Sequence, residues 1–320
     1  MQYVSWDDQY VDALCELWNQ ELGDRFPMRP ELMRQNSFED QNVVKAGSWM
    51  AIDPVTQRPV GFIVAKCWQE KLDIQLGKGI GWLQVLLVAD SYRGQGIGRE
   101  LLGRAEGALR EQGVEKILLG RDPYHYFPGI PDESADVKAW FQKQGYHSED
   151  RLENDLLAQY PDQEELALPE IPGSCFRLLT KADQDAFLSF LHRCFPGRWE
   201  YEAIHYFQRG GTGREFVVVE RQGEIIGFCR INDAESPFIA QNVYWAPLFS
   251  EGLGGIGPLG VDAAYRGQGL GLAIVEAGIV TLRKRGIQNI VIDWTTLVDF
   301  YERLGYRSWK QYAKYGKAFS

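Results

Sequence analysis

Residues Val88–Gly98 read VADSYRGQGIG, and 173 residues downstream Val261–Gly271 read VDAAYRGQGLG. A repeat of this length organises everything around it. At the same offset Ile97, Leu101, Leu102, Ala105 and Leu109 fall on Leu270, Ile274, Val275, Gly278 and Leu282, so each copy continues into one apolar stripe at helical spacing. Gly113 falls on Gly286, a helix stop in each copy. Beyond the stops lie KILL (116–119) and NIVI (289–292), short apolar runs that read as buried strands. Upstream, each copy carries a hairpin-like pair: SWMAI and VGFIVAK around DPVTQRP, then EFVVVE and IIGFCRI around RQGE. The order predicted for each half is strand, helices, strand pair, strand, glycine loop, helix, strand, helix and tail strand.

The 320 residues suit two cores better than one, because single domains usually run to about 100–200 residues. Between the copies, residues 160–173 read YPDQEELALPEIPG, with three prolines, four acidic residues and no strand alternation. The chain is therefore divided into residues 1–160, a linker at 161–173 and residues 174–320. With 45% hydrophobic and 24% charged residues the composition is globular. A formal charge of -10 has the wrong sign for gripping a phosphate backbone, so nucleic acid is not expected as a partner. Neither a leader peptide nor a run of roughly 18 apolar residues is visible, and no membrane association is expected. Cys15, Cys67, Cys175, Cys194 and Cys229 are widely spaced, with no CxxC pair, which suits a reducing cytoplasm and no metal site.

In both copies a strand ends, a glycine loop follows and a helix begins inside it. The first amides of a helix lack internal partners and carry the positive end of its dipole, so the loop is a seat for an anion. A P-loop is excluded because no Lys follows at the required place. The dinucleotide pattern GxGxxG also fails, since its third glycine is Arg99 in one copy and Leu272 in the other. The pattern that fits is [Q/R]-x-x-G-x-[G/A], as Arg93, Gly94, Gln95, Gly96, Ile97, Gly98 and as Arg266, Gly267, Gln268, Gly269, Leu270, Gly271.

These residues, with the preceding apolar strands and a later Gly-Tyr in each copy, resemble the acyl-CoA-binding motif of the GNAT (GCN5-related) N-acetyltransferases. The resemblance covers nearly the whole chain as two tandem copies, in the layout of the double-domain, mycothiol-synthase-like members. It implies an α/β (α+β) class: two GNAT folds in tandem, each a twisted mixed sheet flanked by helices and splayed at its middle. It also implies acetyl-CoA as cosubstrate, held by Leu86 and Val88 or Leu259 and Val261 together with the two loops. The activity implied is direct acetyl transfer to a primary amine of a small molecule or peptide, by a monomer or homodimer. An acyl-CoA-binding regulatory module without turnover is the alternative.

Acetyl transfer needs a proton donor for the departing thiolate and a proton acceptor for the amine. Tyr301, in the closing helix of the second copy, matches the position where family members often carry the general acid; Phe141 stands there in the first copy and cannot donate a proton. Chemistry is therefore expected in the second copy, with the first non-catalytic. Two features depart from the family pattern: Trp294 replaces a frequent asparagine, and neither strand before a loop carries a carboxylate. Asp293, at the end of IVID, is named as the base, with water or a backbone carbonyl as alternatives. The first copy also carries 13 extra residues between its strand and closing helix, Asp122–Ser134, including Tyr124, His125 and Tyr126. They line a substrate pocket or close an interface. Trp199, Tyr201, His205 and Tyr206 line the acceptor side of the second copy or belong to its core.

Overall fold

The computed structural model describes residues 1–74, 76–160 and 167–319, and they divide into two compact units. The first unit contains β1 (Gln2–Ser5), α1 (Val11–Leu22), α2 (Pro30–Ser37), β2 (Trp49–Ile52), β3 (Pro59–Cys67), β4 (Ile80–Val88), α3 (Ile97–Glu111), β5 (Lys116–Leu119), β6 (Ile130–Pro131) and α4 (Ala135–Lys143). The strand β7 (His147–Gln159) begins in it. The second contains β8 (Cys175–Leu178), α5 (Gln184–Cys194), α6 (Arg198–Gln208), β9 (Phe216–Arg221), β10 (Glu224–Asn232), β11 (Leu253–Val261), α7 (Leu270–Lys284), β12 (Asn289–Thr295) and α8 (Val298–Glu302). The strand β13 (Arg307–Ala318) closes the chain.

The two sheets repeat one strand order. It is β1-β2-β3-β4-β5-β13 in the first unit and β8-β9-β10-β11-β12-β7 in the second. Each is antiparallel except where a helix forces a crossover: α3 joins the parallel pair β4/β5, and α7 joins β11/β12. Helix α7 buries Leu270, Ile274, Val275, Ile279 and Leu282 against β10 and β11. Each such side chain contributes about 1.5–3 kcal/mol relative to exposure. On the opposite face, Phe187, Phe190, Phe195 and Trp199 of α5, its end and α6 close around Phe228 of β10.

The boundaries drawn from the repeat differ from the units in space. The first unit comprises Met1–Glu153 and Gln311–Ser320, the second Asn154–Lys310. Leu156 of β7 pairs with Ile292 and is buried in the second core, whereas Gly316 of β13 pairs with Leu118 and Tyr315 lies in the first core. Each sheet thus takes its sixth strand from beyond its own repeat, a choice made by strand pairing and invisible to sequence similarity. Of the linker at 161–173, residues 161–166 lie outside the described residues, and 167–173 are irregular chain ending in a turn.

Both sheets splay in the same place. Strand β11 pairs with β12 only from Leu253↔Asn289 to Ile256↔Ile292, and β4 with β5 only from Ile80↔Lys116 to Leu83↔Leu119. Beyond those rungs the later halves of β11 and β4 have no strand on that side among the described residues. No described helix is long and apolar enough to cross a membrane, and no cluster of potential metal ligands occurs among the described residues.

Candidate active site

The glycine loops have the backbone their chemistry requires. Gly267 and Gly269 adopt φ +78° and +80°, and Gly94 and Gly96 adopt +75° and +85°, conformations that side chains disfavour. Neither α7 nor α3 has a side-chain cap, so their first amides face the loop without intrahelical partners. Each arginine ties its loop to the strand before it: Arg266 Nε donates to Val261 O (3.2 Å) and Arg93 Nε to Val88 O (3.0 Å). The rest of the two guanidinium groups differs. Arg93 donates to Glu21 (2.7 Å) and Asp90 (3.0 Å), whereas Arg266 has no carboxylate partner among the described residues. A second cation, Arg221, reaches the second loop through Gln268 Oε1 (2.8 Å).

The splayed edge of β11 leads from that loop toward the middle of the sheet. The Asp262 amide donates to Ile226 O of β10 (2.8 Å). Backbone groups of successive residues alternate sides, so those of Val261 and Leu259 face the open edge. In the first unit the Ala89 amide donates to Val60 O (2.9 Å), which leaves Val88 and Leu86 in the equivalent position. Beside β11 lies a cleft of ≈ 300 Å³ lined by Phe195, Trp199, Leu259, Gly260, Val261 and the loop residues Arg266, Gly267 and Gly271. A Cβ at Gly260 would lie 2.5 Å from Cζ of Phe195, so any side chain there would have to displace that ring. At Gly267 and Gly271 a Cβ would meet nothing within 4 Å, so the loop's outer face is open. Unpartnered amides, a free cation and an unpaired strand edge, in that sequence, fit a diphosphate with a peptide-like arm attached.

At the inner end of this edge stands Asp293, one residue beyond the last β11/β12 rung. Its Oδ1 accepts from Asn242 Nδ2 (3.0 Å). Burial raises its pKa to about 7, with further lift from Asp155 and Glu202, offset in part by Arg198 and the Asn242 hydrogen bond. The residue as a whole is half-buried. Trp294 is held at φ +45°, its amide donating to Asp155 Oδ1 (3.0 Å) and its ring under the Arg198 guanidinium (4.6 Å). Tyr301 of α8 is buried against the second core. Burial, with Cys229 and Asp293 adding, pushes its hydroxyl well above the usual range, so it stays protonated. The structure thus brings Tyr301 within electrostatic reach of Asp293. Of the acceptor-side aromatics, Trp199 lines the cleft, whereas Tyr201 and Tyr206 are buried. Tyr206 is structural: its hydroxyl donates to Glu215 and accepts from the Gly213 amide.

The equivalent space in the first unit is filled by that unit's own chain. Phe141, opposite Tyr301, packs between Trp140 and Tyr146. Within the insertion Asp122–Ser134, Tyr124, His125 and Tyr126 are buried, while Asp132 borders a separate cleft of ≈ 430 Å³ with Lys138, Gln142 and Tyr315. Tyr126 hydrogen-bonds Ser37 Oγ (2.7 Å), which donates to Gln84 of β4 (2.6 Å), and Gln84 Nε2 reaches Tyr124 O (2.9 Å). Gln84 sits immediately after the last β4/β5 rung, where the splay begins. Buried Lys66 of β3 bridges Asp122 (2.6 Å) and Asp40 (2.8 Å). Sequence reasoning missed Asn242, Asp155, Glu202 and Arg198. For Asn242 the available signal was the long connection 233–252 between β10 and β11, against 68–79 in the first copy; Asp155, Glu202 and Arg198 lie elsewhere and carried none.

The sequence model of the Acetyltransferase (GNAT) family matches residues 11–126 and again 184–306. The chain belongs to this family. It is an N-acetyltransferase, and acyl-CoA is the donor that GNAT enzymes generally use. This GNAT chain is 28% identical to mycothiol acetyltransferase of Acidothermus cellulolyticus over 247 residues, 70% of this chain and 68% of the relative. It is 27% identical to mycothiol acetyltransferase of Thermobispora bispora over 248 residues, 70% of this chain and 72% of the relative. Among solved structures it resembles a GCN5-related glucosamine N-acetyltransferase region of a fungal multi-domain GH3 β-N-acetylglucosaminidase, with TM-score 0.86 and 25% identity over 98% of this chain. That match spans only 38% of the fungal protein. A tandem GNAT protein of the clavulanic acid biosynthesis pathway shares the fold, with TM-score 0.70 and 16% identity over 99% of this chain and 98% of the other.

Proposed function

We propose that the second unit transfers an acetyl group from acetyl-CoA to the primary amine of a small amino sugar, in the cytoplasm. Asp293 carries this reading: it is a carboxyl held at about 7, at the inner end of an open strand edge that leads to an anion-binding loop. The amino-sugar class is supported by the likeness, over 98% of the chain, to a region described as a glucosamine N-acetyltransferase. The five cysteines are free, as a reducing compartment favours.

Acetyl-CoA supplies an activated thioester, and each other requirement falls to a group of this chain. The amides of Gly267–Gly271 and the Arg266 guanidinium bind the diphosphate. Backbone groups of Leu259 and Val261 orient the pantetheine arm along β11. Asp293 accepts the proton that an ammonium must lose before it can attack. Tyr301 donates a proton to the departing thiolate. The first unit has Gly120 at the place of Asp293 and Phe141 at the place of Tyr301, and its loop is a weaker coenzyme A site. A regulatory module without turnover is disfavoured, because the family and the relatives that match most of this chain are described as acetyltransferases.

Thiol release from acetyl-CoA with glucosamine, aminoglycosides, polyamines and peptide N-termini tests the reading. Turnover confined to sugar amines, and abolished in Asp293→Asn, is expected. Turnover with peptides only would overturn the substrate class. Tight acetyl-CoA binding with no turnover on any amine would restore the binding-module alternative.

A further inference from the structure

The connection between β10 and β11 places an asparagine pair behind Asp293. Asn242 is 3% exposed and Asn232, at the end of β10, is fully buried. Asn242 Nδ2 donates to Asp293 Oδ1 (3.0 Å) and to Gly257 O (3.3 Å), while its Oδ1 accepts from Asn232 Nδ2 (3.1 Å). The amide thus has both donors and its acceptor engaged. Turning it over would set an oxygen against Gly257 O and against the ionised carboxylate, so the Asn232 donor fixes which end of Asn242 faces Asp293. Room for the side chain is built into β11. A Cβ at Gly255 would lie 2.0 Å from Asn242 Oδ1, so no other residue fits at that position of the strand.

Resting on the assignment of Asp293 as the base, we propose that Asn242, locked by Asn232, is a positioning residue that aims Asp293 into the splay and preserves it as a proton acceptor. A donor fixed toward a carboxylate favours the ionised form, and a buried carboxyl without one shifts to the neutral form. The other groups that face Asp293 pull both ways. Asp155 of β7 and Glu202 of α6 favour protonation, Arg198 of α6 opposes it, and Tyr301 of α8 lies within electrostatic reach. Asn242 is the hydrogen-bonding partner among them, which separates its effect from the diffuse charges.

The test is a carbon-13 NMR titration of the Asp293 carboxyl in the full chain, run beside the pH profile of kcat/KM. In Asn242→Leu the Asp293 midpoint and the acid limb should both move up by about one pH unit. In Asn232→Ala, which leaves β11 untouched and covers a misfolded Asn242→Leu, the shift should be in the same direction and smaller. Acetyl-CoA affinity at the glycine loop should stay within about twofold in both, because the loop lies at the far end of β11. Unmoved midpoints in folded variants would overturn the relay, even if Asp293→Asn is inactive. Wild-type turnover in Asp293→Asn would instead overturn the base assignment, and the titration would still decide whether the asparagines hold the carboxylate.

Discussion

Arg93 and Arg266 leave their strands with the same backbone, φ -68° in both and ψ 162° and 161°, and the glycines that follow agree within about five degrees. Their electrostatic surroundings differ in sign. Around the first loop, Glu21 and Asp90 neutralise Arg93; around the second, Ala263 stands at the place of Asp90, and Arg193, Arg221 and Arg266 outnumber Asp262. The splays behind the loops diverge in the same way. In one, Gln84 is tied to Tyr124 O directly and to Tyr126 through Ser37; in the other, Asp293 lies at the end of an open edge. A repeated backbone therefore specifies where a site can form, while side chains from elsewhere in the unit decide whether it is charged for a ligand and left open.

The largest expected effect separates the two splays by chemistry. Asp293→Asn should lower kcat by about 10²–10⁴-fold, whereas Gln84→Glu in the first unit should leave turnover unchanged; equal losses in steady-state assays would break the contrast. Tyr301→Phe should lower kcat by about 10²-fold with a normal melting curve, and Phe141→Tyr should create no activity in Tyr301→Phe. Next comes affinity. By calorimetry Arg266→Ala should weaken acetyl-CoA binding by about tenfold, while Glu21→Gln should strengthen the first loop alone. Two sites of equal affinity in the unaltered chain would show that the surrounding charges do not matter.

Stability should divide the units as well. Lys66→Met removes the buried cation that bridges Asp40 and Asp122 and should cost about 3–5 kcal/mol in denaturant unfolding, whereas removing the charge at Asp293 should stabilise. The sign follows from linkage: burial raises the folded-state value of Asp293 above its unfolded one, so protonation is favoured on folding. Its cost is absent below about pH 4 and complete above about pH 7. Asp293→Asn should accordingly raise Tm at pH 8 by several degrees and leave it unchanged at pH 4. The acid limb of kcat/KM should fall near pH 7 in the unaltered enzyme, where the same carboxyl must lose its proton to act.

Much of this molecule was legible in one repeated motif. Helical spacing after each glycine loop, the apolar runs that follow and the glycine stops yielded the order of elements along the chain and the place of both loops. Asp293 could be named from its place at the end of IVID, but nothing local distinguished it from a turn residue. Its raised pKa comes from burial first and then from Asp155 and Glu202, which lie 138 and 91 residues away, while Asn242, 51 residues away, opposes the rise. Trp294, which departs from the family pattern, proved to be held by Asp155 and Arg198 rather than free to replace an asparagine.

Periodicity and glycine placement are properties of neighbouring residues, so the sequence by itself determined the two α/β units, their glycine loops and the family. Strand partners and the occupancy of a splay depend on which distant side chains arrive there. Only the tertiary structure therefore decided that β13 completes the first sheet and β7 the second, that one splay is packed shut, and that the other holds a carboxyl lifted out of its ordinary range. Burial and fixed hydrogen bonds act through space, and no spacing along the chain encodes them.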